Sequence, residues 1–310
     1  MIDFGLIVAR LLHYVAVTTL AGASFFPIYA YEGDEPHPLW RWRQGTLLAA
    51  AVLASVSGLL WFVFAVANMS GTLVDVTDPE VLASVLRDTV FGKVWTARMI
   101  LAAIAIGLIW SGFGSPPKPR RGLFVAVLAA ALLVSLAGVG HSQVEEGGAG
   151  AIHVLSDAAH LLAAGAWLGG LVPLVFILRL YDRDRDVARV TDLDQVLLRF
   201  SGMGYIAVAM LAGSGLVNSW YLVGRFTALL TTQYGQVLLP KLVIFAGMLL
   251  LALMNRFWLV PSMNRARADG AGLSVWTDRL RNHVLGEQLL GLMILLIVSV
   301  LGTMRPAAGQ

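Results

Sequence analysis

Three of the six histidines in this 310-residue chain fall in one stretch, GHSQVEEGGAGAIHVLSDAAHLLAAGAWLGGL (Gly140–Leu171), together with an aspartate. His153, Asp157 and His160 are spaced by four and three residues, which aligns them along one stripe of a helix. His141 precedes them across a glycine-rich connection of roughly a dozen residues, short enough to bring it beside His153. Neutral imidazole is the commonest metal-ligand side chain. The chain has no cysteine, so soft-metal chemistry here must use histidine and methionine, a donor set suited to copper. His13, in RLLHYVAVTTLAG (Arg10–Gly22), is a fourth candidate ligand. Met69 is a supporting thioether, with Met304 nearby and Met99 slightly deeper.

The elements that hold these residues are membrane helices. The chain is 58% hydrophobic and 13% charged, against about 25% charged residues in ordinary globular domains. A membrane helix needs roughly 20 mostly apolar residues. Eight such stretches occur, at about 4–30, 46–68, 94–113, 122–140, 152–178, 199–222, 237–258 and 282–303. The expected fold is an all-α integral membrane protein of eight transmembrane helices, a single membrane domain over 1–310 surrounded by membrane lipid. Ionisable side chains in a bilayer cost about 2.5–3.5 kcal/mol each on insertion scales, so they face a partner or a watery cavity. The histidine cluster therefore needs a reason.

Basic residues concentrate in alternate connections: Arg41 and Arg43, then Lys118 to Arg121, then Arg179 to Arg199, then Arg256 to Arg281. Positive charge is retained on the cytoplasmic side, so the net charge of +3 reads as topology and not as nucleic-acid binding. Both termini then face outward, as do the loops at about 69–92, 141–152 and 223–236. The first apolar segment lacks a basic leader and an A-x-A cleavage site, and reads as a retained helix in the bacterial inner membrane. No G-x-x-x-x-G-K-[ST] motif occurs, so no built-in ATP motor is expected, and no catalytic constellation marks the chain as an enzyme.

The chain also repeats itself. TVFGKVWTAR (Thr89–Arg98) aligns with TQYGQVLLPK (Thr232–Lys241), SGL recurs at Ser57–Leu59 and Ser214–Leu216, and RLLHYVAVTTLAG aligns with DAAHLLAAGAWLG (Asp157–Gly169), matching His13 to His160. The expectation is two parallel four-helix repeats, about 1–143 and about 150–306, related by an axis along the membrane normal. Asp157 then aligns with Arg10. Two roles are open to it: to accept the second N–H of a metal-bound imidazole, or to pair with Arg10 across the two repeats.

Smaller expectations complete the map. TDPE (Thr77–Glu80) has capping-box spacing and introduces a short amphipathic outer helix at about 78–90. Arg98 and Lys241, near helix starts, are expected to snorkel to the interface. His283 and Glu287 form an i, i+4 structural pair. In an alternative of a different class, His13 and His160 are the axial ligands of a b-type haem in an electron-transfer or metal-reductase protein, with Gly22, Gly165 and Gly169 leaving room for the porphyrin.

The run G-H-x(11)-H-x(3)-D-x(2)-H, followed by AAGAWLGGL (Ala163–Leu171), resembles the CopD/PcoD copper-resistance membrane proteins, as do Thr231–Phe257 and the closing VSVLGTMRP (Val298–Pro306). The resemblance implies an inner-membrane protein contributing to copper homeostasis and resistance alongside periplasmic copper-binding partners of the CopC type. It maps the copper ligands onto His141, His153 and His160, and less closely onto His13. The resulting expectation is a copper permease that receives the ion at an outward-facing histidine site and imports it. Oligomeric state, oxidation state and coupling ion are not legible in the sequence.

Overall fold

The computed structural model describes residues 1–33, 35–116, 118–139, 147–183, 192–269 and 273–309, and every regular element among them is helical. The α-helices of nine residues or more are α1 (Ile2–Ala30), α2 (His37–Ser70), α3 (Pro79–Asp88), α4 (Val90–Trp110), α5 (Pro119–Val134), α6 (Gly147–Ala164), α7 (Leu171–Arg183), α8 (Leu193–Val223), α9 (Gln233–Met254), α10 (Val260–Ala268) and α11 (Leu273–Leu301). Two π-helical turns, Gly165–Gly169 and Asn255–Leu259, join α6 to α7 and α9 to α10. Seven helical stretches are long and apolar enough to cross a membrane. The expected fourth span is a shorter helix, α5, of 16 residues, followed by a turn and the 3-10 segment Ala137–Val139.

α1 is the centre of the bundle, packing against α2, α5, α7, α8, α11 and the first π-turn. Its buried face is built from small residues, among them Ala16, Ala21, Gly22, Ala23 and Ser24, the composition that lets membrane helices approach closely. The closest approach joins two glycines. A side chain on Gly22 would collide with the backbone of Gly169, and one on Gly169 with the Thr18 carbonyl. A side chain at Gly165 would meet Leu133. These glycines are consumed by helix packing, which corrects the expectation that they leave room for a porphyrin. Large apolar side chains such as Ile206, Leu216, Val243 and Leu289 point outward, as a lipid-facing surface requires.

Two helix starts are built alike. Thr89 Oγ1 accepts from Gly92 N at 2.9 Å while donating to Val85 O, and Thr232 Oγ1 accepts from Gly235 N at 3.1 Å while donating to Ala228 O. These caps satisfy amides that a helix start leaves unpaired. Gly92 and Gly235 are required because a Cβ at either would strike the carbonyl of the preceding turn. At α3 the cap is Asp78, which accepts from Glu80 N at 2.8 Å, and not Thr77, whose hydroxyl is turned back to Val74 O.

Candidate metal-handling site

Two buried histidines are held by the same bond at positions aligned between the two halves. His13 of α1 lies 3.1 Å through Nδ1 from Ser57 Oγ of α2, and His160 of α6 lies 2.9 Å through Nδ1 from Ser214 Oγ of α8. A serine hydroxyl has one proton to give. Ser57 gives its own to Leu53 O at 2.6 Å and Ser214 to Met210 O at 2.5 Å. Each hydroxyl must therefore accept from the imidazole, so the hydrogen-bond network assigns both rings as neutral with the proton on Nδ1 and the lone pair on Nε2.

The fate of that lone pair separates the two halves. His13 Nε2 accepts from the Arg98 guanidinium, which also donates to Ser135 Oγ at 2.7 Å and to Leu132 O at 3.2 Å. Arg98 is only 2% exposed, so it does not snorkel. It sits nine residues past the Thr89 cap, about 13 Å down the helix at 1.5 Å per residue, and its head turns inward to three acceptors. Among the described residues His160 makes its hydrogen bond through Nδ1, and no hydrogen bond is recorded at Nε2. Lys241 occupies the position aligned with Arg98. It is half-buried and in electrostatic reach of His160 and Asp157, so it too faces the interior.

Charge follows the same division. Around His13, Arg10 and Arg98 flank the Trp61 ring at 5.3 and 5.8 Å, with His13 and Tyr14 edge-on to the same indole. Arg10 packs against Gly302 and, among the described residues, makes no ion pair; the pairing considered with Asp157 is not formed. Two guanidinium groups oppose entry of a metal cation there. In the other half Asp157 takes the position of Arg10, accepts from Asn218 Nδ2 at 2.6 Å and faces Lys241. That environment carries one carboxylate and one ammonium, with Lys241 the charged group in electrostatic reach of the His160 ring.

The remaining candidates divide similarly. His153 is buried on the His160 stripe of α6 and stacked on Tyr221 at 4.7 Å between centroids. His141 lies outside the described residues. Met69 is 54% exposed, two residues before the left-handed Gly71 that ends α2. Met99 instead packs with the edge of His13 over Gly58. No group of three or more His, Cys, Asp or Glu side chains arranged to hold a metal ion occurs among the described residues. Ser57, Ser214 and Asn218 are the partners that sequence reasoning did not assign, although the recurring SGL marked two of them.

Glu287 also departs from expectation. Its carboxylate accepts from Asn255 Nδ2 at 2.5 Å and lies within side-chain hydrogen-bonding reach of Trp167. The pair with His283 is not formed, and His283 Nδ1 is buried with no hydrogen-bond partner among the described residues.

A polytopic helical membrane protein with buried, hydrogen-bond-oriented imidazoles is the class these features define. The family description "Copper resistance protein D-like, N-terminal domain" matches residues 1–151, and "Copper resistance protein D" matches residues 194–301. The chain is 31% identical to Inner membrane protein YebZ of Escherichia coli strain K12, over 99% of this chain and 100% of that one. It is 29% identical to Copper resistance protein D of Pseudomonas syringae pv. tomato, over 97% and 96%. It is 28% identical to Copper transport protein CutJ of Bacillus subtilis strain 168 over 78% of this chain, which spans only 44% of that relative. No solved structure matches. The chain belongs to the copper resistance protein D family.

Proposed function

We propose that this chain is a copper permease of the bacterial inner membrane. It crosses eight times with both termini outside, as two parallel four-helix repeats, and uses neither ATP nor covalent catalysis. Copper enters from the outside, delivered by a periplasmic partner of the CopC type, meets His141 and His153 at the mouth of α6, and passes to Nε2 of His160. Asp157 supplies negative charge beside that path. His13 is the structural counterpart of His160 and holds Arg98 in place of an ion. Membership of the family and the names of the relatives, one called a copper transport protein and one an inner membrane protein, support this reading.

The observation that carries it is the asymmetry between the aligned histidines: one lone pair is capped by a buried guanidinium, the other is uncommitted. The shared His–Ser bonds and shared Thr caps support the repeat. The haem alternative has less support, since His13 would have to expel Arg98 to serve as an axial ligand. Transfer needs several weak sites in succession, because a closed high-affinity cage would retain the ion. Copper uptake into proteoliposomes tests the reading: flux is expected for the wild type and absent for His153→Ala/His160→Ala, and equal flux in both would overturn it.

A further inference from the structure

Two π-turns occur among the described residues, and both bring a side chain to one carboxylate. Trp167, from Gly165–Gly169, and Asn255, from Asn255–Leu259, are the hydrogen-bonding neighbours of Glu287, near the middle of α11. Single π-turns inside helices frequently mark functional sites, because the extra residue re-aims a side chain that a regular helix would direct elsewhere. Glu287 is 2% exposed and, among the described residues, has no ion-pair partner. A carboxylate inside a membrane protein with neutral donors and no counter-ion is costly, and such groups mark ion or proton pathways.

Glu287 lines a cavity of about 230 Å³ between α7, α8, α9 and α11, walled mainly by apolar side chains. Of the described residues lining it, Arg256 is the cationic one and Tyr205 the other titratable one. One turn away on α11 stands His283, with its buried Nδ1 unbonded among the described residues. The copper path and this cavity share a helix: Trp167 follows His160 by seven residues on the continuous stretch Gly148–Tyr181, about 10 Å along the axis. The same π-turn carries Gly169, wedged against Gly22 of α1. A change in the contact between Glu287 and Trp167 therefore acts on the element that positions His160.

We propose that Glu287 is a proton-exchange site through which copper passage is coupled to proton movement. The carboxylate takes one proton and becomes a neutral acid, then returns it, and Trp167 transmits the change to α6. The coupling rests on the copper-permease reading; the proton site does not. Arg256, which lines the same cavity, is the cation that shares it with the Glu287 carboxylate.

The test pairs two readouts on the full-length protein. Infrared difference spectra between acid and alkaline buffer should show a protonated-carboxyl band in the wild type that is lost in Glu287→Gln and kept, shifted, in Glu287→Asp. In proteoliposomes supplied with Cu(I), an imposed pH gradient should change copper flux in the wild type and in Glu287→Asp, and the response should vanish in Glu287→Gln. Copper bound per protein, measured in detergent, verifies that Glu287→Gln is folded. A band unaffected by Glu287→Gln overturns the proton site, and an unchanged gradient response in Glu287→Gln overturns the coupling. The band present with no copper flux in the wild type overturns the permease reading and the coupling with it, while leaving the proton site standing.

Discussion

Ser214 has already given its hydroxyl proton to the Met210 carbonyl, so it accepts the Nδ1 proton of His160 and fixes the lone pair of that ring on Nε2. In the proposed copper site this serine would act on the metal only through the imidazole. Outer partners of this kind typically change metal affinity by about 10–100-fold. Ser214→Ala should weaken Cu(I) binding by about that factor without abolishing it, as measured by competition with a chromophoric chelator.

Arg98 fills the matching position on His13 and satisfies three acceptors at full burial. Leaving a buried polar group such as His13 Nε2 without its hydrogen-bond donor typically costs about 1–3 kcal/mol. Arg98→Leu should lower thermal stability markedly in a differential scanning measurement. Arg87→Leu, on the short α3, should change it by no more than about 0.5 kcal/mol.

The Gly22–Gly169 contact leaves no volume for a side chain. Overpacking of this kind costs about 1–3 kcal/mol or more. Gly22→Val and Gly169→Val should each destabilise the detergent-solubilised protein, whereas Gly202→Ala, with open space around its Cβ position, should be neutral or slightly stabilising. Thermal unfolding of the three variants measures the difference.

Thr89 and Thr232 cap α4 and α9 by the same pair of bonds. Replacing an N-cap threonine by alanine costs about 1 kcal/mol. Thr89→Ala and Thr232→Ala should show similar losses of thermal stability, and their double variant should show an additive one, because the two caps share no partner.

Much of this architecture was legible in the sequence because lipid imposes long apolar runs and helical periodicity exposes a stripe such as His153, Asp157 and His160. Family membership was legible in the same stretch. The burial of Arg98 was not. Position near a helix start suggested an interfacial cation, and only the arrangement of α1 and α5 around it reveals three acceptors inside. Glu287 was misassigned to His283 because i, i+4 spacing is visible in a sequence, while a π-turn from a distant helix is not. The role of the glycines was misread in the same way: Gly22 and Gly169 meet each other, and a single glycine in sequence cannot distinguish room for a ligand from room for a backbone. The 16-residue α5 fell short of its expected span because the helix ends at Val134, before the glycines that the apolar count ran through.

The central claim is that the His160 half handles copper and the His13 half does not. It is tested most directly by Cu(I) stoichiometry and copper X-ray absorption on purified wild type, His160→Ala and His13→Gln, the last chosen so that Arg98 keeps an acceptor. Copper with imidazole ligation retained in the wild type and His13→Gln, and lost in His160→Ala, is the predicted result. Copper retained in His160→Ala and lost in His13→Gln would contradict it.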